Sequence, residues 1–252
     1  MRADQLLVER GLAASRSQAQ RLIAAGMTWR MADGSWKSVI RNRDELPDDA
    51  ELQLADAAEA RYVSRGGLKL EGALKASGIA PEGLVCLDVG QSTGGFSDCL
   101  LQHGAARVVG IDVGHNQVHP RIKDDERVHC IEGVNARALE ADDLGDALPE
   151  AGFDLVVGDL SFISQTLVLP AVVPLLAEGG HVLLLVKPQF ELQPGQVGKG
   201  GIVRDEAMYP IVRARIEACY RDLGLDVAGW WDSVISGGDG NREFWILGRK
   251  TT

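Results

Sequence analysis

Four polar residues spread along the chain are of types that can do chemistry together. They are Lys69 in Ser-Arg-Gly-Gly-Leu-Lys, Asp159 in Gly-Asp-Leu-Ser-Phe, Lys187 in Leu-Val-Lys-Pro-Gln-Phe-Glu and Glu243 in Gly-Asn-Arg-Glu-Phe. Three of them lie at the end of an apolar stretch or beside one, and ligands of open α/β sheets bind at strand ends. Two ammonium groups and two carboxylates gathered there can polarise a hydroxyl and hold its anion. Lys187 is the candidate base, since an ammonium beside other charges at a strand end can titrate low enough to accept a proton. Lys69 would favour that shift and stabilise a developing alkoxide, while Asp159 and Glu243 orient the lysines and oppose it. The competing reading is a structural salt-bridge network.

A glycine-rich turn, Asp88-Val-Gly-Gln-Ser-Thr-Gly-Gly-Phe96, follows the apolar run Leu84–Val89. Glycines there let the backbone approach a ligand and take conformations closed to other residues. Asp112 ends the next apolar run, at a distance suited to an acid that binds ribose hydroxyls. The turn thus nominates Asp88, Gly90, Ser92, Thr93, Gly94, Gly95, Phe96 and Asp112, with Asp159, as a cofactor seat. The spacing fits NAD or S-adenosylmethionine but not the strict Gly-x-Gly-x-x-Gly of dinucleotide binders, and an ordinary αβ turn is the bland alternative. Asn135 could reach an adenine ring, with Glu132 a weaker candidate; either could equally be a solvated loop residue.

The elements that must hold these residues follow from pattern. Leu84–Val89, Arg107–Asp112, Val128–Glu132, Phe153–Gly158 and His181–Val186 read as strands, alternating with helices at Phe96–His103, Leu167–Ala177 and Glu206–Leu223. Such alternation predicts a mostly parallel sheet covered by helices. Asp226–Ile235 and Glu243–Arg249, separated by a Gly/Asp/Asn turn, suit an antiparallel pair that closes it. Ahead of this body, Ala3–Arg10 reads as a helix stopped by Gly11, and Ser15–Gln18 resembles a capping box opening a second helix that ends at Gly26. Three β-prone pieces follow at Met27–Met31, Trp36–Ile40 and Glu51–Leu54. The expected division is a small α+β module over 1–59, a linker over 60–64 and an α/β domain over 65–252.

Charge divides the same way. The chain carries a net charge of -10, but residues 1–43 hold eight Lys/Arg against three Asp/Glu. A basic head on an acidic body points to a polyanionic partner. Cys86, Cys99, Cys130 and Cys219 form no Cys-x-x-Cys pair, which argues against zinc or a disulfide framework and fits a reducing cytosol. No signal-peptide core opens the chain, and Leu167–Val186 is too interrupted by Pro, Gly and Glu178 to span a bilayer.

Arg65–Leu70, Asp88–Phe96, Asp159–Ser164, Lys187–Glu191 and Gly240–Phe244 together resemble the TlyA family. Its members are often labelled haemolysins and are understood as ribosomal RNA cytidine 2′-O-methyltransferases. The first module resembles the S4 RNA-binding domain, and the rest resembles the FtsJ-like (RrmJ-like) methyltransferase fold, a Rossmann-like class I architecture. The resemblance implies a Lys-Asp-Lys-Glu tetrad at Lys69, Asp159, Lys187 and Glu243, S-adenosylmethionine as cofactor, ribosomal RNA within ribosomal subunits as partner, and a cytoplasmic setting. Arg2, Arg10, Arg16, Arg21 and Arg65 are the nominated RNA contacts, with Arg30, Lys37, Arg41 and Arg43 adding charge. Family members usually carry a small residue where this chain has Gln91.

Asp-Leu-Ser-Phe differs from the Asn/Asp-Pro-Pro-Tyr/Phe of enzymes that methylate exocyclic amines, and the loop has no Cys for covalent attack on cytosine. Gln193–Gly201 is glycine-rich without matching a P-loop, so it reads as a flap over the target or a plain surface loop. Three rival functions remain: a non-catalytic ribosome assembly factor, a membrane-lytic haemolysin and a nicotinamide-dependent oxidoreductase. The oligomeric state stays open.

Overall fold

A computed structural model describes residues 1–13, 15–54 and 61–251. Position 59, the expected end of the first domain, and position 60, the start of the linker, lie outside them. The chain forms two compact units, Met1–Leu68 and Lys69–Thr252.

In the first unit, α1 (Ala3–Glu9) and α2 (Arg16–Gly26) pack on a three-stranded antiparallel sheet of β1 (Met27–Arg30), β2 (Trp36–Val39) and β3 (Leu52–Leu54), ordered β2-β1-β3. Helical spacing puts Leu6 and Leu7 on one helix and Ala19, Leu22 and Ile23 on the other into a shared core with Met27 and Val39. Ser15 caps α2 by accepting from the Gln18 backbone N–H at 3.2 Å, which is one half of the expected box. The buried Gln18 amide donates to the Tyr62 carbonyl at 3.0 Å.

The second unit opens with α3 (Gly66–Ser77), a helix absent from the sequence reading, whose first residues belong to the end of the first unit. There follow β4 (Val85–Val89), α4 (Gly95–Gln102), β5 (Arg107–Asp112), α5 (Pro120–Lys123), β6 (Val128–Glu132), α6 (Ala141–Leu144), β7 (Phe153–Gly158), α7 (Leu169–Val172), β8 (Leu176–Val186), α8 (Pro188–Glu191), α9 (Met208–Asp222), β9 (Leu225–Asp232) and β10 (Phe244–Lys250). The seven strands are ordered β6-β5-β4-β7-β8-β10-β9. The first five run parallel, and β10 lies antiparallel to both its neighbours. The Rossmann-like sheet with a reversed final strand is therefore present.

One predicted element differs. The helix expected across Leu167–Ala177 is a series of single turns ending at Leu175, after which β8 begins five residues earlier than expected. Pro170 and Pro174 explain this: each lacks a backbone donor, so the helical hydrogen-bond ladder is interrupted at both.

The sheet core is continuous. Leu87, Val109, Val156 and Leu184 are buried in neighbouring strands, and Ile216 and Tyr220 of α9 pack against the same cluster. Because β4 to β8 are parallel, their carboxyl ends emerge at one edge. The reversed β10 brings its amino end to that edge, with Phe244 opposite Val186.

Candidate active site

Asp159 follows the last residue of β7, Lys187 follows the last residue of β8, and Glu243 precedes the first residue of β10. Continuing the β8–β10 register by one residue sets Glu243 beside Lys187. Lys69 arrives from outside the sheet, on the first turn of α3. Leu70, Ala73 and Leu74 bury the inner face of that helix, and Gly78 at φ +73° ends it. Close approach by the 233–243 loop is possible because residue 72 is glycine; a Cβ there would lie 2.7 Å from Val234.

The four side chains meet as two ion pairs. Lys69 Nζ is 2.5 Å from Glu243 Oε2, with both groups buried. Lys187 Nζ is 2.5 Å from Asp159 Oδ1 and donates to Ser161 Oγ at 2.8 Å. Burial pushes the Glu243 carboxyl above its usual range; Lys69 opposes the shift, Asp159 adds to it and Lys187 opposes it. All three other charges thus act on this one carboxylate, so the pairs share an electrostatic site.

Residues given no role in the sequence reading hold the loops in place. Glu191 is buried; it accepts from the Ser164 hydroxyl and from the Gln165 backbone N–H at 2.8 Å, tying the loop after β7 to the segment after β8. Burial raises its carboxyl too, against those two hydrogen bonds. Asn241, also buried, accepts from Val203 N at 2.9 Å and donates to the Gly201 carbonyl at 2.9 Å. It therefore fastens the end of the Gln193–Gly201 segment to the loop carrying Glu243. Gln189 Nε2 reaches Asp239 Oδ2 at 3.2 Å, and Asp239 in turn accepts from Asn241. The motifs contained Glu191, Asn241 and Gln189, but only tertiary contacts show what they do.

A cavity of about 480 Å³ opens beside Asp159. Of the predicted cofactor residues, Gly90, Ser92, Asp112, Asn135 and Asp159 line it, joined by Ile111, Leu160 and Val168. Gly90 holds φ +81°, and a Cβ there would lie 3.1 Å from the Asp159 carbonyl, so the turn packs tightly against the loop after β7. Asp112 braces this turn, accepting from Ser92 N at 2.8 Å and from Gly114 N at 2.7 Å. Asn135 Oδ1 caps its own turn through Arg137 N, and Glu132 accepts from Asn116 N.

The remaining nominees stand behind the wall. Gly94 at φ +90° and Gly95 start α4, Thr93 accepts from His119 N, and Phe96 is buried against Trp245 with ring centroids 5.6 Å apart. Asp88 lies beneath the turn, where Oδ2 accepts from Ser97 N at 3.0 Å and from Ser97 Oγ at 2.7 Å. Burial pushes its carboxyl up to about 7, against the Ser97 hydrogen bonds and with help from Asp159 and Asp112. Its other oxygen, Oδ1, is buried with no hydrogen-bond partner among the described residues.

Comparison with known proteins decides the family. The profile of the FtsJ-like methyltransferase family matches residues 62–250. This chain belongs to that family. It is 42% identical over its whole length to a Mycobacterium tuberculosis protein named 16S/23S rRNA (cytidine-2′-O)-methyltransferase TlyA, covering 90% of that protein. It is 37% identical to Hemolysin A of Brachyspira hyodysenteriae, over 97% of this chain and 98% of that one. A solved structure from Streptococcus thermophilus that carries a hemolysin name superposes with a TM-score of 0.76 at 39% identity, covering 100% of this chain and 88% of that one.

Within this FtsJ-like methyltransferase, one cavity residue is unusual. Phe162 is 90% exposed, holds φ +64° and stacks on Phe190 at 5.0 Å. Left-handed backbone at a bulky residue is strained, and such strain gathers at functional sites. Sequence alone showed only an aromatic three residues beyond Asp159.

The basic head of the chain is unevenly committed. Arg2 is paired with the buried Asp4, at 2.7 Å to Oδ2, and Arg10 donates to the Ala50 and Asp48 carbonyls. Arg21 donates to its own helix at Ser17, Arg65 is half-buried, and Arg30 pairs with Glu51 at 3.1 Å. Arg16, Lys37, Arg41 and Arg43 are exposed.

Proposed function

We propose that this chain transfers a methyl group from S-adenosylmethionine to the ribose 2′-hydroxyl of cytidine in ribosomal RNA, acting on ribosomal subunits in the cytoplasm. The observation that carries the reading is the paired tetrad at the carboxyl edge of the sheet, whose Asp159 lines the cavity together with Gly90. Relatives matched over 100% and 82% of the chain, with that activity in their names, support the substrate class.

The residues present suit the cofactor. A cavity of about 480 Å³ falls within the range of small-ligand sites. Gly90 admits close approach, and Asp112 and Asn135 offer polar groups on the wall. When bound, S-adenosylmethionine supplies an electrophilic sulfonium methyl.

The protein's own share is to present and deprotonate the alcohol. Lys187, as the free amine left once its ammonium has released a proton to solvent, takes the hydroxyl proton as base, and Asp159 and Ser161 fix the position of its Nζ. Lys69, buried against Glu243, supplies a fixed positive charge toward the developing alkoxide. Holding oxygen and methyl group in line supplies much of the remaining acceleration. Phe162 offers an exposed face on which an unstacked base can lie, as RNA-binding proteins use aromatics. The first unit serves as an S4-like RNA-binding module, with its exposed cations facing phosphates.

Incubating purified protein with ribosomal subunits and labelled S-adenosylmethionine tests the reading. Incorporation mapped by mass spectrometry to a ribose of cytidine is expected. Label on a base or on protein, or none on any ribosomal substrate, would overturn it.

A further inference from the structure

We propose that Gln91 is a positioning residue for the cofactor, and that Gly110 is the vacancy that admits it. The inference rests on the reading that this turn seats S-adenosylmethionine.

Three strands place one row of residues under the turn. Asp88 of β4 is in register with Gly110 of β5, which is in register with Cys130 of β6. The Gln91 side chain, 4% exposed, lies across the middle of that row. A Cβ at Gly110 would sit 2.0 Å from Gln91 Cδ and 2.1 Å from its Nε2. Side-chain atoms cannot approach so closely, so the amide occupies space that only glycine leaves open.

From there the amide does something directional. Gln91 Nε2 donates to Ser97 Oγ at 2.8 Å, and the Ser97 hydroxyl donates to Asp88 Oδ2 at 2.7 Å. A hydroxyl has one proton. The amide N–H supplies the donor that Ser97 accepts, which leaves the serine proton for the carboxylate. Burial raises the Cys130 thiol, and its own hydrogen bond to Gln91 opposes that rise, so the amide meets the Cys130 end of the row directly and the Asp88 end through Ser97.

The backbone of Gln91 is itself part of the cofactor turn: its N–H donates to Ile111 O at 3.0 Å and its carbonyl accepts from Gly94 N at 2.8 Å. Side chain and main chain of one residue therefore lock the turn, the first residues of α4 and the Asp88 carboxylate into one geometry. A small residue at 91 would leave the serine oxygen without this donor and an empty space over Gly110.

Calorimetric binding of S-adenosylhomocysteine to the full chain tests this, using Q91A, Q91M, G110A and the Q91A/G110A double variant. Loss of one buried hydrogen bond predicts about five- to tenfold weaker binding by Q91A. Q91M, which keeps the volume and drops the donor, should weaken binding equally while melting close to the parent chain. G110A should bind no better than Q91A, because its Cβ evicts the amide. The double variant should bind no worse than G110A alone. In steady state the loss should fall on KM for the cofactor more than on kcat, a split that general loosening of the fold would not produce. Binding by both Q91A and Q91M within about twofold of the parent, or strict additivity in the double variant, overturns the inference. Failure of the parent chain to bind overturns the cofactor reading beneath it.

Discussion

Lys187 Nζ lies 2.5 Å from Asp159 Oδ1, joining the first residues beyond two adjacent parallel strands. The parallel register, with Gly158 beside Leu184, sets Asp159 and Lys187 at the same edge of the sheet.

That pair is the part of the site closest to the cavity, so its removal should cost the chemistry rather than the fold. K187A and D159A are each expected to lower methyl transfer by about 10²–10⁴-fold. Labelled-methyl incorporation at saturating substrate measures it. K187R should not rescue, because a guanidinium keeps its proton and has a different shape. Substantial turnover by K187A would remove the lysine from the role of base.

The Lys69–Glu243 pair sits deeper, with side-chain exposures of 7% and 2%. Breaking it should destabilise as well as inactivate. E243A leaves a buried ammonium without its carboxylate, an effect of about 3–5 kcal/mol. The reverse change should be milder. In K69M the stranded Glu243 can take up a proton, which burial already favours. Thermal melting of the two variants at neutral pH checks the asymmetry; equal losses would contradict it.

Much of this arrangement could be read in the chain before folding. Continuous apolar runs ended by Asp or Lys gave the strands of a sheet buried on both faces, and the glycine spacing gave the turn over the cavity. Lys69 was placed correctly in the cluster, but its helix was missed, because Gly66-Gly67 masks a helical start and its apolar face is short. Glu191 and Asn241 belonged to recognised motifs, yet their work is to join loops far apart in sequence. The space over Gly110 is invisible locally, since the side chain of Gln91, distant in sequence, fills it. Local pattern encodes elements and their ends; what crosses between elements becomes legible only with coordinates.

Asp88 makes stability depend on pH in a definite direction. Its carboxyl rises from 3.8 in the unfolded chain to about 7 when folded, chiefly through burial. Between those values the folded state holds a proton that the unfolded state has released. The contribution is therefore complete below pH 3.8 and is lost as pH climbs through about 7. D88N stays neutral and should lack this dependence. The melting temperature of the parent chain, relative to D88N, should fall between about pH 5 and about pH 8. A constant difference would mean that the carboxyl is ionised throughout.

Phe162 separates substrate handling from folding. Its ring is 90% exposed and its backbone strained at φ +64°, so F162A should leave the melting temperature unchanged or slightly higher. Loss of a stacking partner is worth about 1–3 kcal/mol per base, which predicts roughly a five- to hundredfold drop in kcat/KM for RNA. F162W should retain activity. Cofactor binding should change less than RNA turnover, and a purely cofactor-side defect would reassign the ring.

The basic head should behave as a mixture of structural and RNA-facing cations. R10A removes donors to the Ala50 and Asp48 carbonyls and should lower the melting temperature of the first unit. R41E/R43E alters two exposed side chains and should leave melting alone while weakening association with ribosomal subunits. Each neutralised phosphate contributes about 0.7–0.9 to the slope of log affinity against log salt. The double reversal should accordingly flatten that slope by about 1.4–1.8, read from binding titrations across a salt series. An unchanged slope would show that RNA is held by other surfaces, and the exposed arginines of this unit would then be ordinary solvated charges.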